Sequence, residues 1–357
     1  MTGRPRAAVE ALPAYRPGKA TAQAEAEHGI TNAIKLASNE TPWPPVPSVA
    51  AAIAEAATGV NRYADHRAGG VRAALAPAVG VSEAQVAVGC GSVGLLQQIC
   101  LTYVDPGDEV VYPWRSFEVY PVFTQLAGGV SVTVPLVDHA VDLDAVADRV
   151  SGTTKLVFLA SPNNPTGTSL RADELNRFME SIDRGTLVVI DEAYREFNDP
   201  ALGDPVADVL PHHDNAVVLR TFSKAHGLAG LRVGYMVGAP EVVASVDKTL
   251  VPFAVNAIAQ AAAVAAVAAE EEIRARVALI EGERDRVVEA LAAAGHDFPR
   301  PNANFVWLPF GARTDEITVE LEKRGVVTRP FPGEGIRVTI GTAEENDRFL
   351  QALADVI

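Results

Sequence analysis

From about residue 45 to residue 250 the chain alternates short, wholly apolar runs with stretches whose apolar residues recur every three to four positions. Strands buried on both sides read as continuous hydrophobic runs, so this alternation predicts an α/β fold, a mostly parallel sheet with helices on both faces. Seven runs are predicted strands: residues 86–88, 109–112, 130–134, 155–159, 187–190, 217–219 and 233–237. Past Pro252 the pattern changes. An Ala-, Glu- and Arg-rich stretch over about 256–293 predicts one long connecting helix. Strands at 304–308 and 336–340, with helices at about 315–324 and 343–356, then predict a smaller α+β unit. Pro5, Pro13, Pro17, Pro42 and Pro44 mark the first 44 residues as an arm with turns and one short strand near 34–37. The expected organisation is an arm (1–44) completing the small unit, a large domain (45–250), and a connector with the small C-terminal domain (251–357).

Composition sharpens this picture. At 357 residues and 48% hydrophobic content the chain exceeds the size at which one core stops growing, which favours two domains. A formal charge of −15 repels polyanions and argues against nucleic acid or anionic membranes as partners. A phosphorylated ligand would therefore need a local basic pocket. The two cysteines, Cys90 and Cys100, form neither a C-x-x-C pair nor a metal-ligand spacing, so no disulfide framework or metal site is expected and a reducing cytoplasm fits. The first residues lack the apolar core of a signal peptide. The longest apolar run, about 253–269, is mostly alanine and is interrupted by Asn256 and Gln260, which reads as a buried helix and not a membrane span.

Several motifs fall where predicted strands end, the place at which open α/β sheets gather ligand groups. Lys224 follows an apolar strand and precedes a Gly-punctuated turn; partial exclusion from water there would lower its pKa and free an amine for attack on an aldehyde. Ser223 and Arg232 could supply a hydroxyl and a positive fork for a phosphate. Gly91, Ser92 and Val93 open a helical pattern directly after a strand, so their free N–H groups suit a phosphate as well. Phe117 stands where an aromatic ring could lie on a planar ligand. Asn164 lies between Pro162 and Thr166 in a Pro-rich turn after a strand, and Asp191 ends another strand, where a carboxylate is either a helix cap or a ligand group. Alternation along 335–341 puts Arg337 and Thr339 on one face and Ile336, Val338 and Ile340 on the other.

The pattern S-K-x-x-G-L-x-G-x-R over 223–232, with N-N-P-T-G over 163–167 and the Asp191–Tyr194 segment, resembles the fold-type I pyridoxal-phosphate aminotransferases. The likeness runs from about Leu12 to the C-terminal helix. It implies pyridoxal 5′-phosphate as cofactor, bonded to Lys224, with Asp191 facing the pyridine nitrogen and Asn164 and Tyr194 at the phenolic oxygen. It further implies Phe117 stacked on the ring, Gly91, Ser92, Val93, Ser223 and Arg232 at the phosphate, Arg337 on the substrate carboxylate, and Asn39 near the substrate. The segment around Tyr63 resembles one that reaches the neighbouring subunit's site, which implies a homodimer, although Ala64 replaces the usual proline there. The wording Thr41-Pro42-Trp43-Pro44-Pro45 and Trp114-Arg115-Ser116-Phe117 resembles the aromatic amino acid branch, with 2-oxoglutarate as acceptor. Histidinol phosphate is the alternative substrate, because Arg329 and Tyr15 could form a second anion site. A related decarboxylase, or a non-catalytic binding protein on the same fold, also remains open on the residues alone.

Overall fold

The computed structural model describes residues 3–12 and 18–357; Tyr15 lies outside them. Among these described residues twelve strands are formed, at Ile34–Lys35 (β1), Val86–Gly89 (β2), Glu109–Trp114 (β3), Val130–Pro135 (β4), Thr154–Ala160 (β5), Leu187–Asp191 (β6), Ala216–Thr221 (β7), Gly234–Gly238 (β8), Phe305–Leu308 (β9), Val326–Val327 (β10), Arg329–Phe331 (β11) and Gly335–Thr339 (β12). Seven make one sheet in the order β2-β8-β7-β6-β5-β3-β4. Within it β8 runs antiparallel to both neighbours, and the remaining pairs are parallel.

Alternate residues of these strands enter two separate cores. Val157, Leu159, Val188, Ile190 and Val218 join one, whereas Leu156, Phe158, Leu187, Val189 and Leu219 join the other. Both sheet faces are thus covered, which is why the strands read as unbroken apolar runs. Each such side chain contributes about 1.5–3 kcal/mol when fully removed from water. The second core is closed by the helix Gly91–Tyr103 and by Tyr120; the first is shared with Pro47–Ala56, Gly69–Val79 and Ala257–Ala268.

A three-stranded antiparallel sheet, β11-β12-β9, and the parallel pair β1-β10 form the rest. Here β1 joins a segment near the start of the chain to one near its end, with Ile34 opposite Val326.

Two expectations are corrected. The stretch expected as one connecting helix is two, Ala257–Ala268 and Glu270–Ala293, broken at Ala269 (φ −95°, ψ 25°). No glycine or proline forces the break. The first helix lays Ala259, Ala262, Ala263 and Ala266 into the core, while the second turns away and buries Ile273, Val277 and Ile280. The N-terminal arm is also more ordered than turns alone, with a helix at Thr21–His28. Its alternating Ala, Gln and Glu are strong helix formers, and Gly29 ends it in the left-handed conformation (φ 65°). Among the described residues no helix is long and apolar enough to cross a membrane.

Candidate active site

The parallel strands β5, β6 and β7 end side by side, and the turns that follow them frame a cavity of about 190 Å³. Lys224, Asp191, Tyr194, Asn164, Ser92, Val93, Phe117, Ser223, Arg232, Asn39, Arg329 and Arg337 all line it. Residues from both ends of the chain therefore meet at one place.

Lys224 stands three residues past β7, and its Nζ donates to the Ser38 carbonyl at 3.1 Å, with the Tyr194 ring centroid 5.7 Å away. Burial pulls its pKa down to about 7, and the Arg337 charge acts in the same direction. At neutral pH a large share of this amine is an unprotonated nucleophile.

Asp191 is the last residue of β6. Its Oδ2 accepts from the Tyr120 hydroxyl at 3.0 Å, while Oδ1 is buried with no hydrogen-bond partner. Burial pushes the carboxyl up to about 6, with the Tyr120 hydrogen bond opposing. A buried carboxylate oxygen without a donor is costly, so this atom suits a ligand N–H. Directly behind, Arg220 donates to Glu192 at 2.7 Å and to Asp204 at 2.6 Å, a buried ionic group that holds β6 and β7 together beneath the site.

Ser223 Oγ accepts from Arg232 Nη1 and from Thr221 Oγ1, each at 3.1 Å. Gly91 (φ +70°) begins the helix Gly91–Tyr103, and a Cβ there would lie 2.6 Å from Arg232 Nη2. A Cβ on Gly234 would lie 2.4 Å from the Ser92 nitrogen. Glycine at both positions brings a helix N-terminus, two hydroxyls and a guanidinium into one corner, a donor set suited to a phosphate dianion.

Arg337 is 7% exposed and donates Nη2 to the Ala37 carbonyl at 2.8 Å and Nη1 to Asn164 Oδ1. Asn39 Nδ2 donates to the Tyr194 hydroxyl at 2.9 Å, and Thr339 Oγ1 donates to Asn39 Oδ1 at 3.0 Å. Arg337 and Thr339 do share a face, as their spacing required. Asn163 is fully buried, accepts from Ser116 Oγ at 2.7 Å and donates to Thr166 Oγ1 at 2.9 Å, which fixes the turn that carries Asn164. The Ser161–Pro162 and Asn164–Pro165 peptides are both cis.

Tyr63 is not in this cavity. It is 85% exposed and stacks on Phe253 with centroids 4.5 Å apart. Sequence reasoning missed Tyr120 and Glu118; the only available signal was their place just past Phe117, at the start of the helix Val119–Ala127.

The buried amine, the carboxylate oxygen without a donor and the phosphate-suited corner of this cavity fit a pyridoxal-phosphate-dependent transferase. The chain matches the family model for aminotransferase class I and II over residues 31–353 and belongs to that family. It is an aminotransferase, and pyridoxal 5′-phosphate is its cofactor. It is 50% identical over 346 residues to an aromatic amino acid aminotransferase of Thermobifida fusca, covering 97% of this chain and 95% of that protein. It is 48% identical over 351 residues to one of Mycobacteroides abscessus, covering 98% of each. Its fold is similar to that of histidinol-phosphate aminotransferase from Sinorhizobium meliloti in complex with pyridoxal-5′-phosphate. That match has a TM-score of 0.91 at 31% identity and covers 100% of this chain and 98% of the other.

Proposed function

We propose that this aminotransferase moves the amino group of an aromatic L-amino acid to 2-oxoglutarate, in two half-reactions of ping-pong order. The observation that carries the chemistry is the convergence of Lys224, Asp191 and Arg337 on one cavity. The aromatic preference is supported by relatives of that name at about half identity over nearly the whole chain.

In this reading Lys224 would bond the cofactor, Asp191 would pair with its ring nitrogen, and Asn164 and Tyr194 would hold its phenolic oxygen. Phe117 would cover the ring, and Gly91, Ser92, Val93, Ser223 and Arg232 would receive the phosphate. When bound, the cofactor supplies an electron sink that stabilises negative charge at the substrate Cα. Arg337 grips the α-carboxylate as a bidentate fork and so orients the Cα hydrogen. Lys224 Nζ would take that proton from Cα as general base and, as general acid, deliver it to the cofactor carbon that it had itself bonded, a role its pKa of about 7 suits at neutral pH. Asn39, bonded to Tyr194 and Thr339, keeps the substrate side of the cavity rigid.

The same reading divides the chain into an arm (1–44), a cofactor-binding domain (45–250) and a connector with a small domain (251–357), and takes it to be a cytoplasmic homodimer. The exposed Tyr63 would then act in the neighbouring subunit's site. Catalytic efficiencies on phenylalanine and histidinol phosphate test the substrate assignment; a clear preference for the latter overturns it. Borohydride reduction followed by peptide mass analysis tests the lysine, and a label on any residue except Lys224 removes it from its role.

A further inference from the structure

A second cavity, of about 390 Å³, lies behind the turn that carries Lys224. The segment 220–226 divides between the two spaces: Thr221, Ser223 and Lys224 line the cavity described above, whereas Arg220, Phe222 and His226 line this one. Another wall forms where the helices Ala257–Ala268 and Glu270–Ala293 part at Ala269, with Ala266, Val267, Ile273 and Val277 lining the gap. Leu75 and Val79, from the helix Gly69–Val79, add to this apolar lining.

The charged groups of the cavity are matched, with one exception. Arg220 pairs with Asp204 at 2.6 Å and with Glu192 at 2.7 Å, Arg195 lies 3.4 Å from Asp204, and Arg274 pairs with Glu270. Among the described residues Glu196 has His226 alone at ion-pair distance, Oε1 lying 3.9 Å from Nδ1. That is too long for a hydrogen bond, and Glu196 Oε2 and His226 Nδ1 are both buried without a hydrogen-bond partner. Burial pushes the Glu196 carboxyl up to about 7 and pulls the His226 imidazole down to about 4. At neutral pH the imidazole is therefore uncharged, and in the tautomer protonated at Nε2 its Nδ1 is an acceptor. Phe222 supplies an aromatic wall, its ring centroid 4.8 Å from that of His226 and 5.8 Å from that of Tyr235.

We propose that this cavity is a second ligand site, taking a small organic ammonium ion that pairs with Glu196 and His226 while its apolar body lies against Leu75, Phe222 and Ile273. Two acceptors that lack a donor call for an N–H, and an unpaired carboxylate held away from water gains more from a cation than a solvated one does. The aromatic wall attracts the same charge. An anion would instead meet arginines already engaged by carboxylates. The site is separate from the cofactor's, and the inference does not rest on the aromatic reading of the substrate.

The test is calorimetric titration of holoenzyme with N,N-dimethylbenzylamine, a tertiary amine that cannot condense with the cofactor aldehyde. It is run at about pH 8, where an acid with a midpoint near 7 is mostly ionised and the amine is still a cation. One ion per chain is expected to bind. Glu196→Gln keeps the shape of the side chain and removes its charge, and should weaken binding about tenfold, which corresponds to about 1.4 kcal/mol. Val267→Phe, at a half-buried position of the wall, narrows the space and should weaken binding by steric means without touching the carboxyl. No saturable binding to the wild type, or equal affinity in the wild type and Glu196→Gln, overturns the proposal. Binding that phenylalanine displaces and that neither variant alters would put the ion in the substrate cavity, and overturns it as well.

Discussion

Lys224 offers the most direct quantitative test of how this fold prepares its site. Its usual pKa of 10.5 falls to about 7, chiefly through burial, with Arg337, Arg232 and Lys35 lowering it further and Glu40 opposing them. At pH 7 an ordinary lysine is neutral in roughly one molecule in 3,000, whereas a group titrating near 7 is neutral in about half. The fold thus raises the nucleophilic fraction by roughly 1,500-fold. Competitive acetylation of the cofactor-free protein, read by peptide mass spectrometry from acid to alkaline pH, should give Lys224 a midpoint near 7. Arg337→Met should move that midpoint up, since it removes a cation, and Glu40→Gln should move it down. A wild-type midpoint above about 9 would refute the argument that burial and neighbouring charge activate this amine. Stability gives an independent reading. The folded pKa lies below the unfolded one, so the unfolded chain binds more protons between about pH 7 and 10.5. Stability of the cofactor-free protein from this group therefore rises with pH across that window, and its penalty is fully present below 7. Lys224→Met should raise Tm most below pH 7, with the gain shrinking toward pH 10; a gain that grows with pH would contradict the sign.

Two further predictions concern the scaffold. Gly91→Ala places a side chain at φ +70°, which costs about 1–2 kcal/mol, and drives Cβ against Arg232. Cofactor affinity by fluorescence titration should fall about tenfold, and an unchanged affinity would remove this turn from the phosphate corner. Glu192→Gln leaves the Arg220 guanidinium buried with Asp204 as its remaining ion-pair partner among the described residues. Breaking a buried pair in this way costs about 3 kcal/mol, and a loss below about 1 kcal/mol in urea unfolding would show that the ionic group contributes little beneath the site.

The sequence by itself determined the class of fold and most of the local chemistry. Short, valine-rich apolar runs such as those at 187–190 and 217–219 suit strands buried on both faces better than helices, so the sheet was legible without coordinates. The positions of Lys224, Asp191 and Asn164 were legible for the same reason: each lies at the end of a strand or within four residues past it, where a turn must open. The expectation that helix 256–293 is continuous failed because nothing local at Ala269 marks a break; the change of direction comes from what each half packs against.

Only the tertiary structure decided which distant residues became partners. Asn39 meets Tyr194 and Thr339, Tyr120 meets Asp191, and Glu118 meets Arg329 across separations of 71 to 300 residues. Hydrophobic periodicity carries no information about such pairs, since it records which face of an element is buried and not what is buried against it. The physical reason is that a strand's fate is fixed by its own neighbours in sequence, whereas the charge and solvation of a side chain in a cavity are fixed by whatever the chain brings to the other wall.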